Sequence, residues 1–174
     1  RIRVGEPVEL GREDPDAVPN QTWIRANVDD LAGFYTDGVD ALALRLEGEL
    51  AAAETEDGLL VAGGGATNAV CLHRTRAAGL GGFEFACAIP GTVGGGVQMN
   101  AGAYGSDWAA ILERALVVSA EGAAWRTPDE LGLEYRRSAL QPEEVVARAE
   151  FRLEPKPPEE IKETVAELQA RRKA

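Results

Sequence analysis

Between Phe83 and Gly105 the chain reads FEFACAIPGTVGGGVQMNAGAYG, an apolar run that meets Pro90-Gly91, three consecutive glycines and a loop of small residues. Of the 20 glycines in the chain, 12 fall between Gly63 and Gly105, where even spreading puts about five. Glycine loses the most backbone entropy on ordering, so such a cluster marks positions where positive φ, a tight turn or a closely approaching backbone or ligand excludes a side chain. A loop cleared of side chains exposes N–H groups, and pyrophosphate is the usual ligand that reaches hydrogen-bonding distance of the main chain. A set of tight turns explains the same composition, and the run has neither the GxGxxG of a dinucleotide crossover nor the GK[ST] of a P-loop.

The other reactive side chains are sparse. Cys71 and Cys87 have no CxxC spacing and His73 is the sole histidine, which excludes a structural zinc site and leaves both thiols as small buried hydrophobes of a reducing compartment. His73 falls on an expected helix with no relay partner. Glu84, between Phe83 and Phe85, lacks the nearby second carboxylate that would make it a strong acid catalyst.

The elements that must position these residues follow from periodicity. Ala41–Leu46 and Leu59–Ala62 read as strands, and after Gly63–Gly65 the pair Thr67-Asn68 caps a helix that Gly79 ends. Ser106 is expected to cap a short helix through Leu112. Leu116–Ser119 and Ala124–Arg126 make a hairpin, and Thr127, Pro128 and Glu130 form a capping box limited to one turn by Gly132. Val145, Ala147, Ala149, Phe151 and Leu153 alternate with Val146, Arg148, Glu150 and Arg152, the signal of a half-buried strand. In the tail, Ile161, Val165 and Leu168 form one apolar stripe, which needs a surface to cover it. Before residue 40 only Trp23–Tyr35 hints at a helix.

The chain has 174 residues, 45% of them apolar, enough for one or two small cored domains. Eighteen basic against 29 acidic residues give a net charge of -11, which argues against nucleic acid or an anionic membrane as partner. A small anionic ligand stays compatible with that charge. No stretch has the length of a membrane span and no signal-peptide pattern opens the chain, so the expected location is cytoplasmic.

Gly79-Leu80 through Gly105, together with Leu131–Ser138 (LGLEYRRS), resembles the UDP-N-acetylenolpyruvoylglucosamine reductase family, whose run GLxGxEFxxxIPGxVGGxxxMNAGAYG and FxYRxS element these segments reproduce. The resemblance covers roughly residues 41–174. It implies an α+β, PCMH-type (vanillyl-alcohol-oxidase-like) FAD-binding fold, here incomplete, and an FAD-dependent reductase of peptidoglycan precursor synthesis that acts on a UDP-sugar with NADPH as hydride source. Ile89, Pro90, Gly91, Thr92, Val93, Gly94, Gly95, Asn100, Ala101, Gly102, Ala103, Tyr104 and Gly105 would line the flavin and its pyrophosphate. Arg136 stands where the family has its catalytic arginine, an always-charged bidentate donor that stabilises negative charge developing on the substrate. By the same resemblance Tyr135 packs to direct that arginine, Ser138 is a local hydrogen-bonding partner, Tyr104 packs near the flavin, and Glu84 makes a structural hydrogen bond.

Two departures accompany the match. The family's first flavin loop, GxGSN, is not recognisable; GGGATN at 63–68 aligns better with the later turn before GLxGxEF. The GSxFKNP motif with the proton-donating serine, and a late glutamate, are absent. The expected organisation is therefore a poorly matched remnant of the first FAD subdomain over 1–40, an FAD-binding subdomain over 41–154, and a helix over 155–174 leading toward an absent substrate-binding domain. General acid catalysis contributes about 10²- to 10⁴-fold, so such a chain alone is expected to turn over little. A flavin- or nucleotide-binding module without catalysis and a fold-only interaction domain are the alternatives.

Overall fold

The structure is a computed structural model that describes residues 3–4, 21–26 and 41–173. Strands β1 (Arg3–Val4), β2 (Gln21–Ala26) and β3 (Ala41–Leu46) form a three-stranded sheet in that order, β1 antiparallel and β3 parallel to β2. Trp23–Ala26 is thus strand, where the sequence hinted at the start of a helix; the rest of that expected helix lies outside the described residues. Trp23 and Ile24 suit a strand as well as a helix, and pairing with β3 decides between them.

A second, five-stranded antiparallel sheet carries the core. Its strands are β4 (Ala53–Glu56) and β5 (Leu59–Gly63), then β9 (Leu112–Ser119), β10 (Gly122–Arg126) and β11 (Val145–Arg152), in the order β10-β9-β11-β5-β4. Between β5 and β9 run helix α1 (Asn68–Ala77), β6 (Leu80–Gly81), a 3-10 turn over Glu84–Ala88, helix α2 (Val93–Gln98) and the short strands β7 (Gly102–Ala103) and β8 (Ser106–Asp107). After β11, β12 (Glu154–Pro155) pairs with β6 and leads into helix α3 (Pro158–Lys173).

Local chemistry accounts for these boundaries. Thr67 caps α1, its hydroxyl accepting from the Val70 amide, and Gly79 ends it at φ +66. The capping box at Thr127 is present, with the Thr127 amide donating to Glu130 at 2.8 Å and the Glu130 amide to the Thr127 hydroxyl at 3.4 Å. The helix expected after Ser106 does not form. Ser106 pairs in β8, and the Asp107 carboxylate captures the Ala110 amide at 3.1 Å, closing a turn where a helix would have started.

Strand β11 alternates as expected from Ala149 onward, but a register shift against β9 between Val146 and Arg148 resets its phase. Val146, Ala149 and Phe151 therefore face the main core, while Ala147 joins a second, smaller cluster with Leu50 and Val118. In the main core Trp108 is fully buried and meets the edges of Phe83, Phe85 and Phe151 at 5.6, 5.3 and 6.3 Å between ring centroids. Glu84 has the structural role expected of it, accepting from the Gly82 amide at 2.6 Å and from Lys156 at 2.8 Å. The tail helix docks back on the domain: Ile161 is fully buried, and α3 packs on the 3-10 turn and α1.

Candidate functional site

The site is built where two glycine segments meet. Gly63, Gly64 and Gly65 donate their amides to the Ala52, Ala147 and Leu50 carbonyls at 2.8–2.9 Å. A Cβ on Gly64 would lie 1.9 Å from the Val146 carbonyl oxygen, and one on Gly65 would lie 2.5 Å from that of Leu46. These glycines are demanded by main chain packed on main chain. The chain then passes alongside the IPGT loop. Asn68 and Val93 donate to the Gly91 and Ala66 carbonyls at 3.2 and 2.9 Å, making Thr67 and Thr92 an antiparallel bridge.

Sequence reasoning expects the amides of Ile89–Gly95 to be bare, and the structure corrects this in part. Besides the Val93 amide, that of Gly94 is spent on the Gly64 carbonyl at 2.8 Å. Gly95 differs. Its amide belongs to the first turn of α2, has no partner among the described residues, and has open space where a Cβ would stand, the nearest atom being Thr92 Oγ1 at 3.9 Å. Among the described residues no packing requires glycine at this position, and its amide stays open to a hydrogen-bond acceptor.

Two grooves flank the bridge. One, of about 800 Å³, runs along Gly64, Gly65, Thr92, Gly94, Gly95 and Gln98. Glu144, one of its carboxylates, is ion-paired with Arg126. The other, of about 640 Å³, lies between α1, Ile89–Thr92 and α3. Its wall includes Asn68, which is 3% exposed; its Nδ2 donates to the Ile89 carbonyl at 2.9 Å, leaving Oδ1 unpartnered.

The expected flavin-lining residues thus divide. Ile89, Pro90 and Gly91 line the smaller groove, Gly94 and Gly95 the larger, and Thr92 both. Val93 and Ala101 are buried in the core. Gly102 and Ala103 form β7 against β8, and Gly105 makes the turn between them at φ +83. Tyr104, 39% exposed, donates its hydroxyl to the Leu168 carbonyl of α3 at 2.8 Å. Asn100 spends its whole side chain inside the protein: Oδ1 accepts from the Ala109 amide at 2.9 Å, and Nδ2 faces Asp107 Oδ2 at 3.3 Å and the Glu134 carbonyl at 3.1 Å.

Arg136 sits in the two-residue turn Glu134–Arg137, closed by reciprocal backbone bonds of 2.9 and 3.1 Å. Its φ is +57, a left-handed conformation that costs a non-glycine residue about 1–2 kcal/mol. The side chain is exposed. Ser138 reaches across the fold rather than locally, donating to the Gln98 carbonyl at the end of α2 at 2.7 Å. Tyr135 is 89% exposed at the tip of a two-residue turn, and among the described residues it packs on nothing that would direct the arginine. Gly64, Gly65, Thr67 and Gln98 also line the larger groove; the GGG run signals the first two in the sequence, while Thr67 reads there only as a helix cap and Gln98 carries no signal.

A groove of about 800 Å³ edged by glycine main chain, with the Gly95 amide unpartnered among the described residues, leaves room for a ligand at hydrogen-bonding distance of the backbone. A family profile described as FAD binding domain matches residues 22–128, and the chain belongs to that family. The fold is the PCMH-type FAD-binding fold. More particularly, the chain is similar to UDP-N-acetylenolpyruvoylglucosamine reductases. It is 44% identical over 137 residues to that of Rubrobacter xylanophilus, covering 78% of this chain and 46% of the relative, and 39% identical over 152 residues to reductase 2 of Symbiobacterium thermophilum, covering 80% and 49%. The crystal structure of UDP-N-acetylenolpyruvylglucosamine reductase from Thermus caldophilus superposes with a TM-score of 0.70 at 32% identity, over 88% of this chain and 56% of that one. The chain spans about half the length of the curated relatives it matches.

Proposed function

We propose that this chain is the flavin-holding part of an NADPH- and FAD-dependent reductase that converts UDP-N-acetylglucosamine enolpyruvate to UDP-N-acetylmuramate. The reading is supported by the attachment of the Arg136 turn to the end of α2, the helix whose first turn carries the free Gly95 amide. In this reading residues 41–154 hold the flavin, residues 155–174 lead toward a substrate-binding part, and the setting is cytoplasmic. Among the described residues no helix is long and apolar enough to cross a membrane.

Bound FAD supplies hydride transfer. The chain's own residues do the rest of what is proposed here. Thr92, Gly94 and Gly95 hold the dinucleotide by main chain, with Gly95 donating to a phosphate oxygen. Arg136, held by its turn and free of any ion pair among the described residues, offers its guanidinium fork to the substrate carboxylate and stabilises the charge that builds there. Removing such a donor costs about 10²- to 10³-fold in kcat.

The test is direct. Purified protein should be yellow or take up FAD, and the full-length enzyme should sustain NADPH oxidation beyond one equivalent per flavin, under anaerobic conditions, only when the enolpyruvyl UDP-sugar is present. Arg136→Ala should depress turnover at least about 100-fold with flavin content unchanged. A colourless protein that takes up no FAD overturns the cofactor reading. Wild-type turnover by Arg136→Ala removes that residue from the site.

A further inference from the structure

The Arg136 turn is strained, exposed and two residues long, so on its own it would not hold one direction. Two side-chain hydrogen bonds fasten it, one at its start and one just past its end. Ser138, just past the turn, is tied by its hydroxyl to the Gln98 carbonyl at 2.7 Å, and Glu134, at the start of the turn, has its carbonyl held by Asn100 Nδ2 at 3.1 Å. Both anchors lie on α2 or the residues that immediately follow it, between positions 98 and 100.

Asn100 is itself immobilised. It is 4% exposed, its φ is +36, and its Oδ1 is held by the Ala109 amide at 2.9 Å, which fixes which end of the amide faces Glu134. We infer that Asn100 and Ser138 are positioning residues that fix the Arg136 guanidinium relative to the glycine helix, and hence relative to whatever that helix binds. Neither touches the reacting atoms. The inference rests on the reading of Arg136 as the carboxylate-binding residue and adds to it the means by which the arginine's direction is set.

A side chain that acts through another has a signature that general loss of structure lacks: its effect vanishes once the other is removed. In the full-length, flavin-loaded enzyme, Ser138→Ala should lower kcat/KM for the enolpyruvyl substrate by about 10- to 100-fold, the upper end being the cost of a catalytic group misplaced by about 1 Å. Flavin content and the rate of flavin reduction by NADPH should stay at wild-type values, and Ser138→Thr, which keeps the hydroxyl, should restore activity. In an Arg136→Ala background, adding Ser138→Ala should change nothing further. Hydrogen exchange supplies a readout independent of turnover, with the Glu134 and Arg137 amides exchanging faster in Ser138→Ala than in wild type. Asn100→Asp loses the donor to the Glu134 carbonyl and sets a second carboxylate against Asp107, so it should speed exchange of the Glu134 and Arg137 amides at least as much as Ser138→Ala, with a fall in Tm besides.

Three results overturn the inference: wild-type kinetics for Ser138→Ala, an equal loss in both Arg136 backgrounds, or a parallel loss of flavin. If Asn100→Asp does not fold, the Ser138 series decides alone. If Arg136→Ala keeps full turnover, the parent reading falls first; if Arg136→Ala is inactive and Ser138→Ala is not, only the positioning role falls.

Discussion

Gly95 and Gly96 are neighbours in α2 with opposite surroundings, and alanine at each separates fold from ligand. A Cβ on Gly96 would sit 2.6 Å from Trp108 Cε2 and Cζ2 and 2.9 Å from its Nε1. Trp108 cannot yield, because it is fully buried among Phe83, Phe85 and Phe151. Overpacking a closed core costs about 1–3 kcal/mol, and the preference of a helix for alanine over glycine returns about 1 kcal/mol. Gly96→Ala should therefore lose up to about 2 kcal/mol, a fall in Tm of up to about 8 °C for a chain of this size. On Gly95 only the gain applies, a rise of about 2–4 °C in flavin-free protein.

The methyl group of Gly95→Ala, however, enters the larger groove beside the free amide. Losing one hydrogen bond to a charged group costs about 1.5–3 kcal/mol, which weakens FAD binding roughly 10- to 100-fold. Thermal unfolding of the flavin-stripped protein and titration with FAD, followed by quenching of flavin fluorescence, measure the two effects separately. A Gly95→Ala protein that binds FAD as tightly as wild type takes Gly95 out of contact with the cofactor. A Gly96→Ala protein more stable than wild type refutes the packing argument.

Two further outcomes follow from titratable groups. Burial pushes the Glu84 carboxyl up, but hydrogen bonds from Lys156 and from its own and the Gly82 amides, with the Lys156 charge, outweigh it and hold the group below its ordinary value. A carboxyl lowered on folding stabilises above its unfolded pKa and stops doing so as pH falls through the folded one. Glu84→Gln should thus cost about 1.5–3 kcal/mol at pH 7, with the gap to wild type closing on acidification below the usual carboxylate range in urea melts; a gap independent of pH refutes the assignment. Burial drives the Cys71 thiol up to about 12, and Cys87, only half-buried, is raised by burial and lowered by the Arg172 charge. Iodoacetamide at pH 8 should alkylate Cys87 well before Cys71 in native protein, read by peptide mass spectrometry, since the thiolate is the nucleophile; equal rates would show that Cys71 is not enclosed.

What was legible in the sequence was local. Thr67 and Gly79 bracket α1 because capping and left-handed termination depend on the residue alone, and the Thr127 box survives for the same reason. What stayed hidden depended on partners far along the chain. Ser106 has the residue type of a helix cap, but β7 and the Asp107 carboxylate, neither visible to periodicity, claim the segment for a turn. The phase reset in β11 is a property of its pairing with β9, so alternation alone misassigns Ala147. The glycine cluster was visible as a whole, yet only space tells Gly64, excluded from bearing a side chain by the Val146 carbonyl, from Gly95, which has room. Likewise Asn100 reads as a ligand until its three internal bonds are seen.

The triple glycine at 63–65 lies carbonyl to Cβ position against Leu50, Val146 and Leu46, so one stretch of the groove wall is peptide unit packed on peptide unit. A side chain at Gly63, Gly64 or Gly65 would push that main chain apart, so the outline of this stretch tolerates replacement of its neighbours better than replacement of the glycines themselves. Variation in what such a groove accepts is then left to the side chains around it, Thr92 and Gln98 among them, while the glycine stretch keeps its shape.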